Sequence, residues 1–136
     1  MASIRQEIQV KASPAQAWDA MRDVGALHER LVPGFVVDTR LEPGARIVTF
    51  GNGVVAREAI VDLDDKAMRI AWSASGGRLS HHNASAQVFA EANGGSRIVW
   101  ICDLLPNEMR EAIDGMITQG MAAMKRTLDK LGEKER

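Results

Sequence analysis

Cysteine occurs once in the 136 residues, as Cys102. A single thiol excludes an internal disulfide framework and a metal site built from several thiolates. Neither charge sign is in excess. Seventeen Lys and Arg stand against 18 Asp and Glu, a formal net charge of −1, and the basic residues are scattered. Nucleic acid or an anionic membrane would call for a basic stripe, so neither is expected as a partner. No apolar run reaches the length of a membrane span. Met1-Ala2-Ser3-Ile4-Arg5-Gln6-Glu7 has neither the basic start nor the apolar core of a secretory signal, and a cytoplasmic location is the expectation. Cys-x-x-Cys and His-x-Glu spacings are missing too. His81 and His82 are adjacent in an expected strand and leave on opposite faces, while His28 is far off in sequence. No metal and no cofactor are expected.

What is present has the balance of one globular domain over 1–136, with 46% hydrophobic and 26% charged residues. Ile4, Ile8 and Val10 alternate with polar residues, as in a half-buried strand. Ser13-Pro14 opens a helix with Ser13 as N-cap and Pro14 at its first position. Gly25 breaks it, and Ala26 to Leu31 forms a second short helix. A period of two then returns over 35–41, 46–50, 54–63, 68–75, 82–92 and 97–105. Turn residues stand at each joint: Glu42-Pro43-Gly44, Gly51-Asn52-Gly53, Asp64-Asp65-Lys66, Gly76-Gly77 and Asn93-Gly94-Gly95. Short links between neighbours imply an antiparallel meander. After Pro106, Asn107 is expected to cap a long helix to about Leu131, with Met109, Ile113, Met116, Ile117, Met124, Leu128 and Leu131 as its apolar stripe.

The expected fold is therefore α+β: a seven-stranded antiparallel sheet wrapped around a long C-terminal helix, with two short helices after strand 1. Only the last helix, at ~1.5 Å per residue over about 25 residues, is long enough to cover the sheet. A curved sheet encloses more space than one helix fills, which allows a cavity.

The pattern resembles the polyketide-cyclase/dehydrase-like family of the START, or SRPBCC, superfamily, which also holds the birch-pollen allergens and the plant abscisic-acid receptors. The likeness rests on Ser13-Pro14-Ala15-Gln16-Ala17-Trp18, on Leu27-His28, and on Arg57 to Asp65. It continues through His82-Asn83-Ala84-Ser85-Ala86-Gln87-Val88 and Ile98-Val99-Trp100, in the family's order and spacing. The resemblance implies a helix-grip fold with a hydrophobic ligand cavity. It implies no particular reaction, because members include carriers, receptors and cyclases.

Within that frame Glu58 is the foremost acid, a mid-strand carboxylate that is costly unless paired or wetted. The resemblance places it in the cavity; the alternative is a pair with a neighbouring arginine on an exposed face. His82 stands where relatives often carry tyrosine, so no contact of a tyrosine hydroxyl transfers to it. It shares a face with Ala84, Ala86 and Val88, either lining the pocket or satisfied as a structural histidine. Trp72 and Trp100 are expected inward with Ile70, Ala74, Ile98, Cys102 and Leu104, as core or pocket wall. Cys102 is expected to act as a small hydrophobe. From the helix, Met116, Ile117, Gly120 and Met121 complete the expected ligand-binding set. Gly120 leaves a gap for a ligand or for close sheet packing. Ser75 to Leu79 resembles, in place, the loop that gates the cavity of the plant receptors.

Three functions compete. The first is binding, transport or sensing of a hydrophobic or amphipathic small molecule, posed by Glu58 and His82. The second is a cyclase or dehydratase using Glu58 and His82 as acid and base. The third is a protein-partner module with a filled core.

Overall fold

The computed structural model describes residues 1–134. One antiparallel sheet holds β1 (Ala2–Val10), β2 (Val36–Glu42), β3 (Ala45–Phe50), β4 (Val55–Asp64), β5 (Arg69–Ser75), β6 (His81–Ala90) and β7 (Ser96–Leu105), in the order β1-β7-β6-β5-β4-β3-β2. β2 to β7 follow one another as a meander. β1 lies beside β7 because the segment after it crosses to the opposite edge before β2 begins. That crossing carries α1 (Pro14–Arg22) and a π-helical turn, Leu27–Leu31. The long helix α2 spans Arg110–Lys134.

Local chemistry explains these elements. Ser13 caps α1 in a reciprocal box: its Oγ accepts from Gln16 N at 3.2 Å, and Gln16 Oε1 accepts from Ser13 N at 2.8 Å. The second short helix is π-helical, closed by Val32 N donating to Leu27 O at 3.0 Å. Asn107 does not cap α2. It opens a 3₁₀ turn, Asn107–Met109, in which Met109 N donates to Pro106 O, and the α-helix starts only at Arg110. β6 ends at Ala90 rather than Ala92, because Gly94 N folds back onto Glu91 O. Pairing shifts between Val36 and Asp38 in β2 and between Ile60 and Asp62 in β4. The second bulge resets the alternation, so Glu58 and Ile60 face inward before it and Leu63 after it.

α2 crosses the concave face. Its Ile113, Ile117, Met121, Met124 and Leu128 join Ile4, Ile98, Cys102 and Leu104 in one buried cluster. Each fully buried aliphatic side chain contributes about 1.5–3 kcal/mol. The polar flank pins the helix to the β1 edge. Gln6 Nε2 donates to Asp114 Oδ1 and Thr118 Oγ1, both at 2.9 Å. Lys125 Nζ donates to Gln9 O at 2.7 Å, and Asp129 Oδ1 accepts from Lys11 N at 2.8 Å. Held to one side, the helix leaves the opposite half of the sheet uncovered from within.

Candidate functional site

That uncovered half lines a cavity of about 610 Å³, open to solvent at one side. Its wall comes from β2 to β6, from Trp100 alone on β7, from none of β1, and from the first half of α2 with Met124 beyond it. Met21 of α1 with Leu27 and Leu31 of the π-helical turn close one end. The β5–β6 turn, Ser75 to Leu79, forms part of the rim together with Val54, Met109 and Met116. Gly76 and Gly77, at φ +129° and +66°, let that turn fold tightly.

Two opposite charges are buried in this apolar wall. Arg46 and Glu58 are register partners on β3 and β4, 3% and 7% exposed. Arg46 Nε donates to Glu58 Oε1 at 2.8 Å, Arg46 Nη1 reaches Val24 O at 3.4 Å, and the guanidinium lies 5.7 Å from the Trp72 ring centre. Glu58 is thus both cavity-facing and arginine-paired, and the pair is buried rather than on an exposed face. Arg46 was not among the expected site residues, yet the signal for it exists. Alternation puts Arg46 on the face of Val48 and Phe50, and a hairpin folded about Asn52 that sets Thr49 against Val55 also sets Arg46 against Glu58.

His82 lies on β6, two strands from Glu58, which is about 10 Å at the backbone. The residue is 8% exposed, its side chain lines the cavity, and it bonds to no other side chain among the described residues. Burial, reinforced by neighbouring His81, pushes its pKa below the usual histidine value of 6.5, so it enters the cavity as a neutral ring. It has one donor and one acceptor to offer.

Trp72, Trp100, Met116 and Ile117 stand on the cavity wall as well. The two indoles meet edge to face at 5.9 Å, and Nε1 of Trp100 is buried without an acceptor among the described residues. Gly120 and Met121 are buried but lie outside the lining. A Cβ on Gly120 would come within 3.0 Å of the Phe35 ring and 3.1 Å of Trp100, so this glycine serves close packing against two wall residues. Cys102 is fully buried, and burial, with Asp103 adding to it, pushes its thiol up to about 12. His28 also stands outside the lining, its Nδ1 3.0 Å from Thr39 Oγ1, tying the π-helical turn to β2. No group of three or more His, Cys, Asp or Glu side chains suited to a metal occurs among the described residues. No helix among them is long and apolar enough to cross a membrane.

A sequence model of the family described as polyketide cyclase / dehydrase and lipid transport matches residues 1–129. The chain belongs to this family. Among solved structures, XoxI from Bacillus cereus superposes with a TM-score of 0.84 at 17% identity, over 96% of this chain and 98% of that one. The di-domain ARO/CYC BexL of the BE-7585A biosynthetic pathway gives 0.82 at 14%, over 95% of this chain and 47% of its own length. A START superfamily protein from Mycobacterium smegmatis gives 0.72 at 11%, over 98% and 99%. At these identities the likeness is one of fold, and it is the helix-grip fold of the START superfamily. No protein of curated function matches the sequence. The family description spans enzymes and carriers, so membership leaves the choice between them to the geometry of the cavity.

Proposed function

We propose that this protein binds a hydrophobic or amphipathic small molecule in the cavity between the sheet and α2. The observation that carries this is the cavity of about 610 Å³ itself, apolar over most of its wall, with Arg46, Glu58 and His82 set into it. Apolar contact supplies the affinity at about 25 cal/mol per Å² of ligand surface buried. The polar groups set the pose. So large an empty space speaks against a filled core whose only work is to hold a protein partner.

Conversion of the ligand is a second reading, supported by the unbonded neutral imidazole of His82 and by the cyclases that the family description includes. Glu58 supports it less well, because one of its oxygens is engaged by Arg46.

Native mass spectrometry of protein purified from its own host tests the binding reading, followed by titration of tryptophan fluorescence with the released compound. A stoichiometric apolar passenger is expected, with fluorescence changed by contact at Trp72 or Trp100 and binding weakened by His82→Ala. A protein that carries nothing, and whose melting temperature is unmoved by a broad hydrophobic library, would end this reading. Incubating the released compound with protein and finding a new product favours conversion over carriage.

A further inference from the structure

The cavity's charges balance. Arg46, Glu58, Arg78, His82 and Glu111 are its titratable lining residues. The first two form the buried ion pair, Arg78 and Glu111 add one charge of each sign, and the burial of His82 favours its neutral ring. The ion pair is nevertheless incompletely used. Among the described residues Arg46 spends Nε on Glu58 and Nη1 on Val24 O, with no acceptor for Nη2, and Glu58 is engaged only through Oε1. Neither Nη2 nor Oε2 is among the buried atoms left without a partner in the described residues, and both side chains line the cavity.

We infer that the cavity selects an uncharged ligand with a hydrogen-bond donor next to an acceptor, taken by Glu58 Oε2 and Arg46 Nη2, and rejects carboxylates and ammonium ions of the same size. The inference rests on the cavity-binding reading and adds the chemical class of the ligand to it. An amide, or a hydroxyl beside a carbonyl, meets both atoms at once. A carboxylate would bring a net charge into a low-dielectric pocket with no surplus cation to meet it, and an ammonium would find no surplus anion. A buried charge costs several times what one neutral hydrogen bond returns.

Matched probes test this directly. Anthracene-2-carboxamide, anthracene-2-carboxylate and 2-(aminomethyl)anthracene share one ring system and differ in charge. In calorimetric titration of the wild-type protein at pH 7.5, the carboxamide should bind at least tenfold more tightly than either ion. Glu58→Gln keeps the size and one acceptor but leaves Arg46 uncompensated. It should raise carboxylate affinity at least tenfold and lower that of the carboxamide. The wild-type comparison needs no variant to fold. Equal or tighter binding of the carboxylate or the amine by the wild type overturns the inference while leaving the binding reading intact. Failure of all three probes, and of unsubstituted anthracene, overturns both.

Discussion

Arg46 and Glu58 face each other across β3 and β4 with their side chains joined at 2.8 Å, one salt bridge set into the apolar wall of a cavity. Such a pair is costly to bury and more costly to break. Removing one partner strands the other, at about 3–5 kcal/mol, whereas replacing both with apolar residues of similar volume is often neutral or stabilising. Arg46→Met is expected to lower the unfolding free energy by that amount, and Arg46→Met/Glu58→Leu to recover most of it. Urea denaturation of the two variants checks this. Equal losses in the single and double variants would show that packing, not charge, holds this corner.

His82 predicts a pH dependence. Its folded pKa lies below the unfolded value of 6.5, because burial and then His81 disfavour the imidazolium. Above about pH 6.5 the ring is neutral in both states and contributes no slope. As pH falls below that, the unfolded chain takes up the proton first, so stability drops until the folded pKa is passed. Arg46 and Glu58, joined by their ion pair, and His81 next in sequence are the charged or titratable groups nearest to His82. His82→Gln should flatten the curve just below pH 6.5 relative to wild type, read from melting temperatures in matched buffers. An unchanged slope would assign the acid loss elsewhere.

Much of this was legible from the residues. Turn chemistry at five joints and period-two alternation between them fix a meander, and one long stripe from Ile113 to Leu128 has only the sheet to cover. The inward faces of β5, β6 and β7 follow the same alternation and put Trp72, His82 and Trp100 on the cavity wall. What alternation cannot supply is the phase after a bulge, as at Val61, where one extra residue reverses the faces. Nor does a helical period say which residues of one face of α2 reach the cavity. Gly120 and Met121 share a face with Ile117 and Met124, which line the cavity, and yet stand outside the lining, because Phe35 and Trp100 close over Gly120. Arg46 was missed for a different reason. A charge at a strand's start reads as solvent-facing until the hairpin register places an acid opposite it.

Cys102 should be chemically silent in the folded protein. Its thiol is fully buried at the centre of β7's inner face and pushed up to about 12, so thiolate is scarce at pH 8. Iodoacetamide at pH 8 is expected to leave the native protein unmodified and to alkylate one site completely in denaturant, as intact mass will show. Rapid labelling of the native state would mean that β7 opens locally on the timescale of the reaction.

Two glycines of α2 rank in a way the structure fixes. A Cβ at Gly132 would stand 2.5 Å from Ala12 N and from Lys11 O, against the backbone that leaves β1. No rotamer change can relieve such a contact. At Gly120 the obstacles are the rings of Phe35 and Trp100, at 3.0 and 3.1 Å, which can shift by tenths of an ångström into the cavity beside them. Gly132→Ala should therefore cost about 3 kcal/mol. Gly120→Ala should cost no more than about 1, since the helix gains roughly 1 kcal/mol from losing a glycine. The milder variant should also alter ligand affinity, because the rings it displaces are wall residues, whereas Gly132→Ala, far from the lining, should weaken binding only through stability. Paired urea denaturation and ligand titration separate the two. A larger stability loss at Gly120 than at Gly132 would mean that the cavity wall is the stiffer of the two contacts and has no slack for a ligand to use.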